Sequence, residues 1–333
     1  RRGLPAGSVF ADMFTTAYSI LEYDALVLAF PRLHLTVYVD DVSLCAEGRD
    51  DDDVVQVLAA AAPSVARAIT HELQCDIALD KGSAQGSSSK VVRELCRRLG
   101  PLAVSCRGAA HNLGVDVLPG RARCQHSRRA MRVQRALRAK ARVRRCAVIS
   151  RTMTKGRRRM SQIIVAGVRP ALAYGSRVNG ASDSELLTYR RMLMSQHAPT
   201  VAGTSLTTKC VIAGDLSWTI AVAPVMAWIA ETWRAATGSA APHASLPALH
   251  NMWHAARPNS TRSWRTSRGP LGNCFLSLRR IGWSWPEPFR LVDDLGNVEA
   301  LPALSPAMWG SRMQAAVQRF HERALAAKLR NSN

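Results

Sequence analysis

Carboxylates are scarce in this 333-residue chain: 24 Asp and Glu stand against 45 Lys and Arg, a net charge of +21. Such an excess of one sign repels itself in a compact fold. A polyanionic partner is the usual reason for carrying it, nucleic acid before an anionic membrane surface. Between Val117 and Ser182 there is no acidic residue at all, while arginines crowd in from Arg121 to Arg159. Long apolar runs are missing too. The longest uncharged one, Leu216–Ala230, has 15 residues and contains Pro224. A bilayer span needs about 20, so this run is read as a buried helix and no membrane partner is expected. No Cys-x-x-Cys pair occurs among the eight cysteines, and Cys124-Gln125-His126 has no second half. That argues against zinc and for reduced thiols in an intracellular setting, nucleus or cytoplasm. No signal peptide follows Arg1-Arg2, and the chain is expected to be a piece of something longer. It contains no internal repeat.

What is present is mixed. At 47% apolar residues, the chain can fill cores for roughly two or three domains. Residues 9–29 read as a helix ending before Pro31, and Asp50–Asp53 precede an Ala/Val-rich run reaching about Leu73. Those aspartates lack the glycine and distal glutamate of a calcium loop; they read as a helix N-terminus, where the dipole favours acid. Residues 82–89 form a loop, and short strands cover 102–106 and 112–118. Residues 127–149 and 157–172 read as two basic helices, the second with Met160, Ile163, Ile164, Gly167 and Val168 on one face. All eight tryptophans fall after residue 217. There, residues 282–288 and 292–297 look like turns, with Asp293-Asp294 on the surface.

The segment "LTVYVDDVSL", Leu35–Leu44, poses the sharpest question. Leu35, Val37 and Val39 alternate with Thr36 and Tyr38, and the alternation resumes with Val42 and Leu44. Two strands joined by a tight turn follow from that pattern. Two carboxylates in an apolar hairpin are costly unless something binds there, although Asp is also a favoured turn residue.

"RRGLPAGS" at 1–8, "YVDD" at 38–41, "HNLGVDV" at 111–117 and "RPALAYGSRVNGASDSEL" at 169–186 follow in that order. Together they resemble a reverse transcriptase of the non-LTR retrotransposon type, over about residues 1–195. The resemblance implies an α+β fold: a right-hand polymerase palm portion (1–120), a basic helical thumb (121–200) and a mostly helical C-terminal tail of unknown role (201–333). It implies RNA-templated DNA synthesis by nucleotidyl transfer, a reaction that needs two metal ions about 4 Å apart. Mg²⁺, or Mn²⁺ in its place, would be the cofactor. The partners would be an RNA template, a DNA primer and deoxynucleoside triphosphates.

Residue by residue, the resemblance makes Asp40 the principal metal ligand, with Asp41 tuning the site or contributing weakly. Lys81 is the candidate for protonating pyrophosphate, with Lys90 the alternative. Gly3, Leu4, Pro5, Gly7, Ser8 and Tyr38 would lie against template and nucleotide, and Leu113, Gly114 and Val115 would grip the primer. Arg128, Arg129, Arg157, Arg158 and Arg159 are the expected contacts to the nucleic-acid backbone. The chain departs from the family at Ala6, where Gln is usual, at Val9-Phe10-Ala11, where a second Pro often stands, and at His111, where Tyr is common. The family's other metal-binding aspartate and the fingers lie upstream of the "GLPAGS" turn. The sequence as given is therefore expected not to polymerise alone. The reading from another class is a non-catalytic nucleic-acid-binding relic of a retroelement.

Overall fold

A computed structural model describes residues 11–38, 41–105, 110–112, 115–117, 131–152, 156–197, 204–240, 244–259 and 262–331. These are mostly helical with small sheets, an α+β chain in the coarse sense. Two compact units divide it, one of residues 1–113 and 117–120, the other of 114–116 and 121–333.

In the first unit, α1 (Ala11–Ala29) leads into β1 (Leu33–Tyr38) and β2 (Asp41–Ala46). The strands pair antiparallel, from Leu33 opposite Ala46 to Tyr38 opposite Asp41. This is the expected hairpin, begun two residues earlier, and its pairing leaves only two residues between the strands. The aspartate run then starts α2 (Asp51–Arg67): the Asp50 side chain accepts from the Asp53 backbone N–H at 2.9 Å, and Asp51–Asp53 fill the first turn. A π-turn at Ala68–Glu72 extends the helix. Residues 51–72 are long and apolar enough to cross a membrane by composition, yet Val55, Ala61 and Val65 turn one face of this helix into protein.

Next come β3 (Ser83–Ala84), α3 (Ser89–Leu99) and β4 (Val104–Ser105), with β4 parallel to β3. Two small cores result. Val55, Ala84, Val91, Leu95 and Ala103 make one, and Leu26, Val65 and Ala68 the other. The outer side of α1 stays bare, with Met13, Phe14, Tyr18, Leu21 and Leu28 exposed. β5 (Ala110–Asn112) and β6 (Val115–Val117) lie where the chain passes from one unit to the next.

The second unit opens with the expected basic helices, α4 (Met131–Thr152) and α5 (Gly156–Ile163). α5 does not continue regularly to 172. A π-turn at Ile164–Val168 separates it from α6 (Arg169–Ala173). The wider turn changes which residues point inward: Met160, Ile164, Val168 and Leu172 are buried, while Ile163 and Gly167, expected on that face, are exposed. α7 (Ser176–Asn179) follows, then α8 (Asp183–Met194), which starts on a capping box of Ser182 and Glu185. After α9 (Leu206–Ala213), the apolar run 216–230 is buried but broken into α10 (Trp218–Ala221) and α11 (Ala223–Ala236). Pro224 occupies the first turn of α11, where its missing N–H is harmless.

Beyond these lie α12 (Leu246–Ala256), α13 (Gly269–Ile281), an antiparallel meander of β7 (Ser284–Glu287), β8 (Arg290–Val292) and β9 (Val298–Ala300), and α14 (Pro306–Arg330). The late tryptophans build this core. Trp228, Trp253 and Phe275 surround Trp285 with ring centroids 4.7–6.1 Å from it, and Trp283 meets Trp309 at 6.2 Å. Each such ring buries a large apolar area in a fixed geometry. The core runs unbroken from Ala139 on α4 to Val317 on α14. The division expected at residue 200 is therefore not a division of the core.

Gly180 joins α7 to α8 at φ +58°, ψ −171°, a region open to glycine almost alone. A Cβ there would stand 2.7 Å from the Trp264 ring and 3.2 Å from Asn273. Gly180→Ala is expected to destabilise the second unit by about 2–3 kcal/mol, read as a lowered unfolding midpoint in urea.

Candidate functional site

The β1–β2 hairpin carries the acidic motif. Asp41 is the first residue of β2 and is exposed, with Tyr38 opposite it, also exposed. Asp40 lies outside the described residues, as do Gly3, Leu4, Pro5, Gly7, Ser8, Leu113, Gly114, Arg128 and Arg129. Lys81 ends a 3₁₀ turn, Leu79–Lys81, and is exposed. Lys90, the alternative, faces Asp52 across 3.8 Å at the surface. Asp53 at the start of α2 is taken up by Arg32, whose guanidinium donates to it at 2.5 and 2.8 Å and holds its carboxyl down at about 2. This acidic corner is thus a capped and paired helix start, as expected from the sequence.

The structure does bring two of the sequence motifs together. Val115 of "HNLGVDV" packs on Gly175 of "RPALAYGS", whose φ is +77°; a Cβ on Gly175 would touch both Val115 methyls at 3.4 Å. Beside them a small cleft is lined by Arg132, Arg135, Tyr174 and Tyr189. Arg135 lies over the Tyr174 ring at 4.3 Å, a cation–π stack, and Arg132 pairs with Glu185 at 2.8 Å. Arg158 and Arg159 on α5 are exposed, with Arg157 on the same helix. On α4 the buried residues are Ala139, Val143 and Cys146, while Arg138, Lys140, Arg142, Arg144 and Arg145 point to solvent. One face of the helix is apolar and the other carries a single sign of charge.

Two buried carboxylates were not legible in the sequence. Asp215 sits in the turn before α10, its side chain 1% exposed. Its Oδ2 accepts from Arg190 of α8 at 2.9 and 2.8 Å and from His321 Nε2 of α14 at 2.9 Å. Its Oδ1 accepts from the Ser217 backbone N–H at 2.8 Å and hydroxyl at 2.6 Å. Because a carboxylate only accepts, His321 Nε2 carries the proton. Burial alone would push Asp215 up, but these hydrogen bonds and the Arg190 charge prevail and hold it at about 2. The second, Asp294, accepts from Trp283 Nε1 at 2.9 Å and from Arg319 and Arg323 of α14 at 2.5 Å. The Arg319 hydrogen bonds, followed by those of Arg323 and Trp283, keep it well below the usual carboxylate range. The surface turn expected at Asp293-Asp294 is thus corrected for Asp294, whose side chain is 2% exposed and anchors α14.

Cys210, Asp215 and His321 offer donor atoms within 4.8 Å of one another, a set that zinc accepts by donor type. Here, however, both Asp215 oxygens are already occupied by protein donors, and the Arg190 guanidinium supplies the positive charge a cation would bring. Burial, reinforced by Asp215, pushes the Cys210 thiol up to about 12. The cluster is a buried ion-pair network. Arg190 and His321 come from positions 25 and 106 residues away from Asp215, so no local spacing could have revealed it; only the Asp-Leu-Ser-Trp start of α10 carried a signal.

No family model matches the chain, and neither a curated protein nor a solved structure is found to be similar to it.

Asp215 generates a pH dependence. Its folded-state pKa of about 2 lies below the ordinary value of 3.8, so its stabilisation is complete above about pH 4–5 and is lost as pH falls through 4 toward 2. The loss is on the order of 2 kcal/mol. Asp215→Ala, which leaves Arg190 buried without its partner, is expected to cost about 3–5 kcal/mol at neutral pH. Urea titrations across pH 2.5–7 should show the wild-type loss and a flatter profile for Asp215→Ala.

Proposed function

We propose that this chain derives from, and carries part of, an RNA-directed DNA polymerase of the non-LTR retrotransposon type. The observation that carries the reading is the hairpin: two antiparallel strands with a two-residue connection, set between α1 and α2, with "YVDD" at its tip. Two-metal nucleotidyl transfer requires carboxylates on a well-ordered support, and the paired strands ending at Tyr38 and Asp41 supply one. The juxtaposition of Val115 and Gly175 adds support, since it joins the expected primer-grip segment to the segment that ends the thumb.

The residues present fit Mg²⁺ in kind: Asp40 and Asp41 offer hard carboxylate oxygens, and Asp41 is exposed at the strand end. When bound, the ions would activate the primer 3′-hydroxyl and steady the leaving pyrophosphate. Tyr38 would lie beside the reacting nucleotide, Lys81 would deliver a proton to the pyrophosphate, and Leu113–Val115 would position the primer end. The arginines of α4 and α5 would hold the sugar–phosphate backbone without reading sequence. The one-sign face of α4 equally supports the second reading, a binding protein in which the hairpin survives as scaffold.

The two separate on one experiment. With Fe²⁺ replacing Mg²⁺ and hydrogen peroxide and ascorbate added, a metal held at the hairpin would reduce peroxide to hydroxide and hydroxyl radical. It would itself become Fe³⁺ until ascorbate reduced it again, and the radicals would cut bound nucleic acid nearby. Cleavage of an RNA–DNA primer–template close to the primer 3′ end is expected, and it should vanish in Asp40→Ala while binding persists. Cleavage that is absent, or unaltered in Asp40→Ala, would leave only the binding protein. Where the chain also extends a primer on an RNA template, Asp40→Ala should lower the rate by several orders of magnitude.

A further inference from the structure

A second stretch without acid lies outside the basic helices. From Thr232 to Pro286, 55 residues, there is no Asp or Glu against seven arginines. Four of the seven have work inside the fold. Arg234 pairs with Glu231 at 2.5 Å, and Arg262 donates to the Thr266 carbonyl at 3.3 Å. Arg279 donates to the Arg262 carbonyl at 2.9 Å, and Arg280, itself buried, donates to Asp183 at 2.7 Å and to the carbonyls of Ala181 and Ala221. The other three, Arg257, Arg265 and Arg268, are exposed and have no carboxylate partner among the described residues.

The backbone that bears them is pinned. Arg257 opens a 3₁₀ turn, Arg257–Asn259, that packs on α13, and its guanidinium lies 5.3 Å from the Trp253 ring. The turn at 263–267 is closed by the Thr266 and Ser267 N–H groups on the Ser263 carbonyl, at 3.0 and 2.8 Å. Trp264 is wedged against Gly180 and under the Arg280 guanidinium at 4.7 Å. Ser267 donates to Asn273, which in turn donates to the Val178 carbonyl, both at 2.9 Å. These ties fix the backbone beside the three arginines and leave little to order there on binding.

We propose that Arg257, Arg265 and Arg268 form a second contact for the sugar–phosphate backbone of nucleic acid, separate from α4 and α5. The proposal rests on the nucleic-acid reading above and assigns a role to the region past residue 200. Guanidinium forks match phosphate oxygens, no neighbouring carboxylate in the stretch competes for them, and such contacts position a duplex without reading its sequence. Each phosphate contact steepens the fall of log affinity with log salt by about 0.9.

The test measures binding of the full chain to a fluorescent RNA–DNA hybrid over a range of KCl concentrations. Arg257→Glu/Arg265→Glu/Arg268→Glu is compared with the milder triple Gln variant and with Arg157→Glu/Arg158→Glu/Arg159→Glu on α5. Exposed Arg330→Glu controls for net charge, and melting curves control for folding. The expected result is a drop in affinity of roughly tenfold or more, with a salt slope shallower by about one per arginine, in both loop variants and on top of the α5 effect. Parental affinity and slope in the folded loop variants would overturn the proposal while leaving α5 as the contact. Parental behaviour in both sets would remove the nucleic-acid reading of these faces altogether, a result distinct from failure of Fe²⁺ cleavage at the hairpin. Loss of binding to phosphatidylserine vesicles with hybrid binding intact would also overturn it, in favour of a membrane surface.

Discussion

A carboxylate shut away from water must find every hydrogen bond in protein, and Asp215 finds five. They come from α8, from the turn that starts α10, and from α14. That one group therefore sets the relative placement of three elements far apart in sequence. Asp294 repeats the device around the same stretch of α14, tying the turn between β8 and β9 to Arg319 and Arg323, which flank His321 in sequence. With α14 held from two sides, Trp309, Met313 and Val317 enter the core at fixed depth. Apolar side chains alone would fill the same space, but they tolerate sliding in a way that a bidentate ion pair does not.

In a chain so poor in acid, where the carboxylates stand decides what the arginines do. Arg132, Arg190, Arg280 and Arg319 meet an Asp or Glu and become structural, each with a largely buried side chain or a buried partner. Arg138, Arg142, Arg144 and Arg145 of α4, Arg158 and Arg159 of α5, and Arg257, Arg265 and Arg268 lack that neutralisation among the described residues and face solvent. The charge imbalance is thus divided between a core whose cations are paired and surfaces whose cations are available. Partner attraction and internal order draw on different arginines.

The local signals were legible. Alternation around "YVDD" placed the hairpin, and Asp50–Asp53 marked the start of α2, because both depend on neighbours in sequence. The basic helices were visible for the same reason. The fine structure of 157–172 was not: a π-turn has no composition of its own, so Ile163 and Gly167 were assigned to a face that only 3.6-residue periodicity would give them. Asp294 was misplaced on the surface because a Gly-Asn turn follows it, while its partners lie 25 and 29 residues on. The eight tryptophans all fall after residue 217, and nothing local in the sequence says that the core they fill also includes α4 and α5.

The π-turn at Ile164–Val168 has a consequence for how this chain can vary in length. A π-turn holds one residue more than the α-turn it replaces. Deleting one residue there would let the backbone close into a regular α-helix, with no broken hydrogen bond to mark the loss. Because one turn is a full circle in either form, α5 and α6 would keep their present rotation about the common axis. Met160, Ile164, Val168 and Leu172 would then stand at i, i+4, i+7 and i+11, the ordinary apolar stripe of an α-helix, and Gly175 would still meet Val115. The turn is therefore a length buffer: a one-residue change is taken up inside the helix and is not passed on to the elements packed around it.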